Sequence, residues 1–271
     1  MEKKIVFFDL DGTVLNEDKQ ILESTKTAIR LLQDKGIYTA IATGRVPLMF
    51  DWILEELNID SYVSTNGQYV VFEGKEIYSN PLDPEMLNSI TDVATSKGHA
   101  IAYCNHQYVK VSEESHPFIV TSFDVLKMDY PSVDREFYKH SPVYQGHLYC
   151  DIEDEQLYVE RYPEYKFVRW DRYAADILPK GSSKAKGIQK LLEVVDIKVE
   201  NSYAFGDGLN DLEMLSFIGT GIAMGNAVPE AKAAADIITD SCSEDGIFNG
   251  LINVGLLEEN ARKQLVTSTI A

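Results

Sequence analysis

Two carboxylates near the start of the chain are the first groups suited to chemistry. Asp9 directly follows the apolar run Ile5–Phe8, and Asp11 lies two residues further on. If the chain stays extended, both carboxylates point the same way and repel each other, which raises one pKa unless a cation lies between them. Mg²⁺ suits a carboxylate pair together with substrate phosphate and water. The pair therefore predicts a metal site, and an ordinary turn at Asp-Gly is the alternative.

Groups that can bind an anion follow at two later positions. Thr43-Gly44-Arg45 offers a hydroxyl, a backbone N–H and a glycine that allows close approach. Lys184 stands at the start of a predicted helix, whose N-terminus attracts anions. Taken alone, each has an ordinary alternative, which is a capped strand-to-helix turn for Thr43 and a solvated side chain for Lys184.

A second acidic group occurs late in the chain, in the segment from Gly206 to Asp211. Asp207 comes directly after a strand-like run, and Asn210 and Asp211 open the next helix as a cap, a ligand or a support for a ligand. This Gly-x-Gly is not a dinucleotide fingerprint, because Asp211 occupies the place of the third glycine. Four motifs follow one another along the chain, namely D-x-D, T-G-R, K and G-D-x-x-N-D. Together and in this order they indicate a functional site more specifically than any one motif does.

The elements that must position these groups alternate between strand and helix at both ends of the chain. We predict strands at 5–8, 37–42, 62–64, 202–205, 221–223 and 236–238, a hairpin at 69–78, and helices at 24–35, 46–57, 185–194, 211–217 and 229–234. Such alternation predicts a parallel sheet with helices on both faces, and ligands bind outside the carboxyl ends of its strands.

The middle of the chain has a different character. Asp83-Pro84 opens a helix that ends near Gly98, and short strand-like runs follow at 100–103, 108–111, 147–150 and 166–168. The fold class is therefore α/β, with a Rossmann-like parallel sheet core and an inserted α+β cap domain. We assign the core to 1–82 and 181–271 and the cap to 83–180.

The order of the motifs resembles the haloacid dehalogenase superfamily of phosphohydrolases, over about 1–82 and 180–250. The segments from Ser64 to Gly67 and from Gly219 to Ala227, with Asp236, resemble its Cof-type subfamily, and the insertion point resembles a type IIB cap. The resemblance implies a phosphatase that hydrolyses small phosphate monoesters, such as sugar phosphates, nucleotides or cofactor phosphates.

The resemblance also implies roles for individual residues. Asp9 matches the nucleophile that forms an aspartyl-phosphate, and Asp11 matches the general acid and base. The cofactor is then Mg²⁺, held by Asp9, Asp207 and the backbone carbonyl of Asp11, with Asp211 as a supporting residue. The implied contacts to the substrate phosphate are Leu10, Thr43, Gly44, Lys184 and Asn210.

Composition limits the partners. The chain has 271 residues, with 43 acidic against 25 basic side chains and a formal net charge of −18. This balance argues against nucleic acid and acidic membranes, which need a basic surface. A small phosphorylated metabolite is the expected partner, and one metal ion with one lysine creates a local positive site for it.

Three scattered cysteines, no secretory leader and no apolar stretch of about 18 residues predict a cytoplasmic protein. The polar segment 258–271 receives no role. Candidate cap contacts to the substrate are His106, His147, Tyr149 and Arg172, although a solvated surface is favoured for each. The five histidines match no zinc spacing and are interpreted as structural or surface residues.

Three other functions stay open. A phosphomutase or phosphotransferase would use the same residues and the same intermediate. A phospho-receiver would keep the Asp9-phosphate as a signal, although receivers are about half as long. A metal-dependent binding protein without turnover is the third, and the complete set of motifs argues against it.

Overall fold

The computed structural model describes residues 2–125 and 128–262. The chain divides into two compact units. The first consists of Met1–Arg45, Met49–Tyr78 and Ser183–Ala271, and the second of Val46–Leu48 and Ser79–Ser182. The predicted domain boundaries, after 82 and after 180, lie within a few residues of these divisions, and the assignment of domains stays a prediction.

Strands and helices alternate in the first unit and are mixed in the second. The strands are β1 Ile5–Phe8, β2 Tyr38–Ala42, β3 Tyr62–Ser64, β4 Tyr69–Phe72, β5 Lys75–Ser79, β6 Ala100–Cys104, β7 Val109–Val111, β8 Gln145–Tyr149, β9 Tyr165–Asp171, β10 Ala174–Pro179, β11 Ser202–Gly206, β12 Thr220–Ala223 and β13 Ile237–Ile238. The helices are α1 Glu23–Asp34, α2 Asp51–Leu57, α3 Pro84–Ser96, α4 Pro117–Val125, α5 Glu155–Arg161, α6 Lys184–Val195, α7 Leu212–Phe217, α8 Pro229–Ala234 and α9 Gly246–Asn253.

The first unit is built on a mainly parallel sheet with the strand order β13-β12-β11-β1-β2-β3-β4-β5. The strands from β13 to β3 pair in parallel, and β4 pairs antiparallel with β3. β1 lies near the centre and has no exposed residue, since Val6 and Phe8 pack into one core while Ile5 and Phe7 pack into another. A sheet buried on both faces explains why β1 is a continuous apolar run.

The second unit is built on an antiparallel sheet with the order β7-β6-β8-β10-β9. Its core forms on one face, where Ile101, Leu148 and Ile177 pack with residues of α3. α3 starts as predicted, because the Asp83 side chain accepts a hydrogen bond of 2.9 Å from the backbone N–H of Glu85.

The predicted fold class is confirmed, and most predicted elements occur within two residues of their expected bounds. The helix predicted at 46–57 is wrong at its start, where a short 3₁₀ turn precedes α2. The elements that the sequence analysis did not predict are α4, α5, β10 and α9. Within the described ranges, none of the helices has the length and apolarity needed to cross a membrane.

Candidate active site

A buried lysine bridges two carboxylates near the carboxyl end of β1. Asp9 follows β1 directly, Lys184 is the first residue of α6, and Asp211 lies in the turn before α7. The Nζ atom of Lys184 lies 2.5 Å from Oδ1 of Asp9 and 2.7 Å from Oδ1 of Asp211. All three residues are buried. A lysine can be buried as an ammonium ion only when carboxylates or hydrogen bonds compensate its charge.

The pKa values in this cluster follow from burial and charge. Burial alone would lower the pKa of Lys184, but the charges of Asp211 and Asp9 outweigh it and raise that pKa, so the group stays an ammonium ion. Burial raises the pKa of Asp9 well above its ordinary value, and Lys184 opposes this rise. The negative charges of Asp211 and Asp207 raise it further. Two carboxylates thus pair directly with one ammonium group, and the charge of a third, Asp207, also acts on Asp9.

Asp207 gives this cluster the composition of a cation site. One carboxylate oxygen from each of Asp9, Asp207 and Asp211 lies within 4.8 Å of the others. Oδ2 of Asp211 already accepts hydrogen bonds of 2.9 Å from the N–H groups of Asp207 and Gly208. Burial, followed by the charge of Asp211, raises the pKa of Asp207 to about 6. Asp9 and Asp207 are therefore the carboxylates best suited to a divalent cation, and oxygen ligands fit Mg²⁺.

The turn after Asp9 packs closely against Asp207. Gly12 has φ of +79°, and a Cβ atom there would overlap the Asp207 carboxylate, so only glycine fits. Thr13 donates a hydrogen bond of 3.4 Å to Oδ1 of Asp207. The side chain of Asn226 donates to the Gly12 carbonyl at 2.8 Å and accepts from the N–H of Cys242 at 2.9 Å. Asn226 thus ties this turn to a distant loop, a role that its sequence position does not reveal.

The side chain of Asp11 is 44% exposed, and its carboxylate is paired with two cations. Nε and Nη2 of Arg45 donate to its two oxygens at 2.8 and 2.6 Å, and Nζ of Lys19 donates at 2.7 Å. Burial would raise the pKa of Asp11, but Arg45 and Lys19 outweigh it and lower that pKa. The structure therefore favours the carboxylate, whereas the general acid that the resemblance implies must carry a proton when it acts. Sequence reasoning assigned no partner role to Arg45 or Lys19.

The predicted phosphate contacts differ in burial, since Thr43 and Leu10 are buried whereas Asn210 is exposed. Thr43 is buried at the end of β2, and its hydroxyl accepts the N–H of Arg45 at 3.1 Å, which shapes the turn that contains Gly44. Leu10 is buried beside Asp9 in the chain, and its side chain belongs to the core. Asn210 is exposed on the turn before α7 and lies outside the buried cluster.

The second unit contains a buried polar cluster of its own. Nε2 of His147 lies 3.2 Å from the side-chain amide nitrogen of Gln145, 3.5 Å from the Asp176 carboxylate and 3.7 Å from Sγ of Cys104. Its other ring nitrogen lies 3.4 Å from the hydroxyl of Tyr149. Burial lowers the pKa of His147 to about 4, so the ring is neutral at pH 7.

The expectation of a solvated position is wrong for two of the four cap residues that were considered as substrate contacts. His147 and Tyr149 are buried. His106 is partly buried and packs beside the ring of Tyr144, whereas Arg172 is exposed and lies over the ring of Tyr173.

Comparison with known proteins identifies a family. A profile of haloacid dehalogenase-like hydrolases matches residues 6–251. The Bacillus subtilis protein YkrA, which carries a provisional name as a phosphatase, is 43% identical over 95% of this chain and 100% of its own length. A second Bacillus subtilis protein, 5-amino-6-(5-phospho-D-ribitylamino)uracil phosphatase YcsE, is 28% identical over 92% of this chain and 94% of its own length.

Solved structures agree with this result. A hypothetical protein of Geobacillus kaustophilus is 47% identical, with a TM-score of 0.92 over 94% of this chain and 100% of the other. The sugar phosphatase BT4131, described as a member of haloacid dehalogenase subclass IIB, is 30% identical, with a TM-score of 0.81 over 94% of this chain and 100% of the other.

Proposed function

The chain belongs to the haloacid dehalogenase-like hydrolases, and on that premise we propose that it is a Mg²⁺-dependent phosphatase acting through an aspartyl-phosphate on Asp9. Its substrate is a small phosphorylated metabolite. This follows by analogy with its relatives, whose names include a phosphatase of a ribitylaminouracil phosphate and a sugar phosphatase. We also propose the cytoplasm as its location, since Cys104, Cys150 and Cys242 are free thiols.

One observation carries this proposal. Lys184 lies within hydrogen-bond distance of Asp9, and the carboxylates of Asp207 and Asp211 lie beside them. Burying two acids and one lysine together, with a third acid half-buried beside them, is unfavourable for the fold alone. The same arrangement suits phosphoryl transfer, where a carboxylate must approach a dianion and cations must offset the repulsion.

Asp9, Asp207 and the backbone carbonyl of Asp11 would hold the metal ion. When bound, Mg²⁺ offsets the negative charge of the phosphoryl oxygens and of the nucleophile. The oxygen-only donor set and the raised pKa values of Asp9 and Asp207 fit this ion, because a divalent cation would compensate the burial, and the repulsion between carboxylates, that raise those pKa values.

In the first step Oδ of Asp9 attacks phosphorus in line, and the bond from phosphorus to the leaving oxygen breaks. Lys184 and the Thr43 hydroxyl stabilise the charge on the transferring phosphoryl group. Asp11 gives its proton to the leaving oxygen. For this role Asp11 must leave its pairing with Arg45 and Lys19, because that pairing favours the carboxylate.

In the second step Asp11, now a carboxylate, takes a proton from water. The resulting hydroxide attacks the phosphorus of the Asp9-phosphate, and the bond from Asp9 to phosphorus breaks. Inorganic phosphate leaves, Asp9 returns to its free carboxylate, and Asp11 carries the proton for the next cycle.

Asp9→Asn tests the proposal. We expect no detectable turnover of p-nitrophenyl phosphate with Mg²⁺, because the amide cannot serve as the nucleophile, while circular dichroism shows an intact fold. Asp34→Asn, at an exposed position at the end of α1, is the matched control and keeps full activity. Full activity in Asp9→Asn would exclude the assignment. Equal yields of alcohol and inorganic phosphate, with an added sugar present, would separate hydrolysis from phosphoryl transfer.

A further inference from the structure

The turn between β3 and β4 has a backbone path that its residues do not favour. Thr65, Asn66 and Gly67 have φ of +50°, +52° and +90°. Asparagine and glycine accept this left-handed region, but a β-branched residue rarely does. Thr65 is fully buried, and its hydroxyl oxygen has no hydrogen-bond partner among the described residues.

One side of this turn is bonded to the loop that follows β2. The N–H of Thr65 donates to the Arg45 carbonyl at 3.1 Å, and the N–H of Asn66 donates to the Thr43 carbonyl at 3.2 Å. A Cβ atom on Gly44 would lie 3.1 Å from both Nδ2 and Oδ1 of Asn66. The Asn66 amide therefore lies directly against Gly44 and limits where its backbone can go.

The other side of the turn packs on the first turn of α6. A Cβ atom on Gly67 would overlap the carbonyl of Ser183, and one on Gly187 would overlap the Gly67 backbone. Ser183 directly precedes Lys184, whose ammonium group binds Asp9. One three-residue turn thus touches two of the segments that supply proposed phosphate contacts, the one with Thr43 and Gly44 and the one that begins with Lys184.

We propose that Asn66 is a positioning residue of the phosphoryl site. Its amide fixes the Gly44 backbone, and the left-handed turn holds the loop after β2 against the start of α6, so that Thr43 and Lys184 meet the same phosphoryl group. This inference rests on the proposed function. A turn that only reversed the chain would not need a strained Thr65 with an unpartnered hydroxyl. The strain is maintained because contacts on both sides fix the path.

Asn66→Gly is the first test, because glycine keeps the left-handed backbone and removes only the amide. The matched control is Asn58→Gly, since Asn58 has φ of +50° and is exposed at the end of α2. For Asn66→Gly we expect kcat for p-nitrophenyl phosphate and the affinity for orthovanadate, measured by calorimetry with Mg²⁺, both to fall by about 10–100-fold. We expect KM to change little and the control to match the parent protein.

Asn66→Asp is the second test, with Asn58→Asp as its control. Aspartate accepts the same backbone and has the same shape, so the fold is retained, but it places a negative charge beside Gly44. We expect vanadate affinity to fall at least as far as in Asn66→Gly, and the control to bind vanadate normally.

The outcomes separate the two proposals. If the unmodified protein hydrolyses no phosphate ester, the proposed function fails. If it is active and both Asn66 variants keep their kcat and vanadate affinity, the positioning role is wrong. A variant that loses thermal stability but binds vanadate normally would likewise overturn the role and leave Asn66 as a structural residue only.

Discussion

At the scale of single residues, the site depends on partners far apart in sequence. Lys184 lies 175 positions from Asp9 and 27 from Asp211, and it holds both. Breaking a buried ion pair by removing one partner costs about 3–5 kcal/mol, because the remaining charge is left uncompensated. Replacing Lys184 would therefore leave two buried carboxylates uncompensated, whereas Asp9→Asn leaves Lys184 paired with Asp211.

Asp11 allows a direct test of acid–base catalysis. We expect Asp11→Ala to slow both formation and hydrolysis of the phospho-enzyme, by roughly 10²–10⁴-fold, because the same group donates and then accepts the proton. Its side chain is 44% exposed, so the fold should be retained. Rapid-quench measurements of alcohol and phosphate release from a sugar phosphate, whose alkoxide leaving group needs the proton, resolve the two steps. Asp18→Ala, at an exposed position nearby, is the control, and parent-like rates in Asp11→Ala would remove Asp11 from the mechanism.

The sequence indicates which residues are candidates for the active site, because a residue that directly follows a predicted strand can be recognised from its neighbours in the chain. It cannot show their partners. The pairing of Asp11 with Arg45 depends on how two loops approach each other, and so does the link from Asn226 to Gly12. The residues Asp9, Lys184, Asp207 and Asp211 do come together, whereas Asn210 is exposed.

At the scale of elements, β8 carries a histidine that should make stability depend on pH. His147 has a folded pKa of about 4 against an ordinary value of 6.5. Between these values the unfolded chain binds the extra proton, so the free energy of unfolding decreases as pH falls, by about 3 kcal/mol at pH 4. Above pH 6.5 this contribution is fully present.

Urea unfolding between pH 7.5 and pH 4.5 measures this effect. In His147→Gln we expect a smaller loss of stability over that range than in the parent protein, whereas His140→Gln, whose ring is 59% exposed, should follow the parent. Parallel curves for His147→Gln and the parent would contradict the shifted pKa.

Elements that the sequence failed to predict share weak local signals. α4 contains the β-branched residues Ile119, Val120 and Thr121, which are poor helix formers. α9 contains two glycines, and β10 begins with two alanines. These elements form because tertiary packing outweighs local preference, whereas β1, with four apolar residues, is clear from sequence alone.

At the scale of the whole molecule, the proposed Mg²⁺ site adds local positive charge to a chain of net charge −18, and its loss should affect both activity and stability. We expect EDTA to abolish activity and added Mg²⁺ to restore it. We also expect Mg²⁺ to raise the melting temperature, since a ligand that binds only the folded state stabilises it. Asp207→Asn should remove that rise, because it removes a proposed metal ligand. Undiminished turnover in EDTA would contradict a metal-dependent mechanism.

The order of strands in the first sheet has a consequence for biosynthesis. β1 pairs with β11, so Ile5 can pair only after Ser202 has been synthesised and has left the ribosome. At common elongation rates the time between the synthesis of these two residues is roughly 10–40 s. Residues 79–182 emerge as one uninterrupted stretch and can begin folding first. The nascent chain therefore contains Asp9, the proposed nucleophile, early, and Lys184 only late. A ribosome-bound fragment that ends before Lys184 should be catalytically silent.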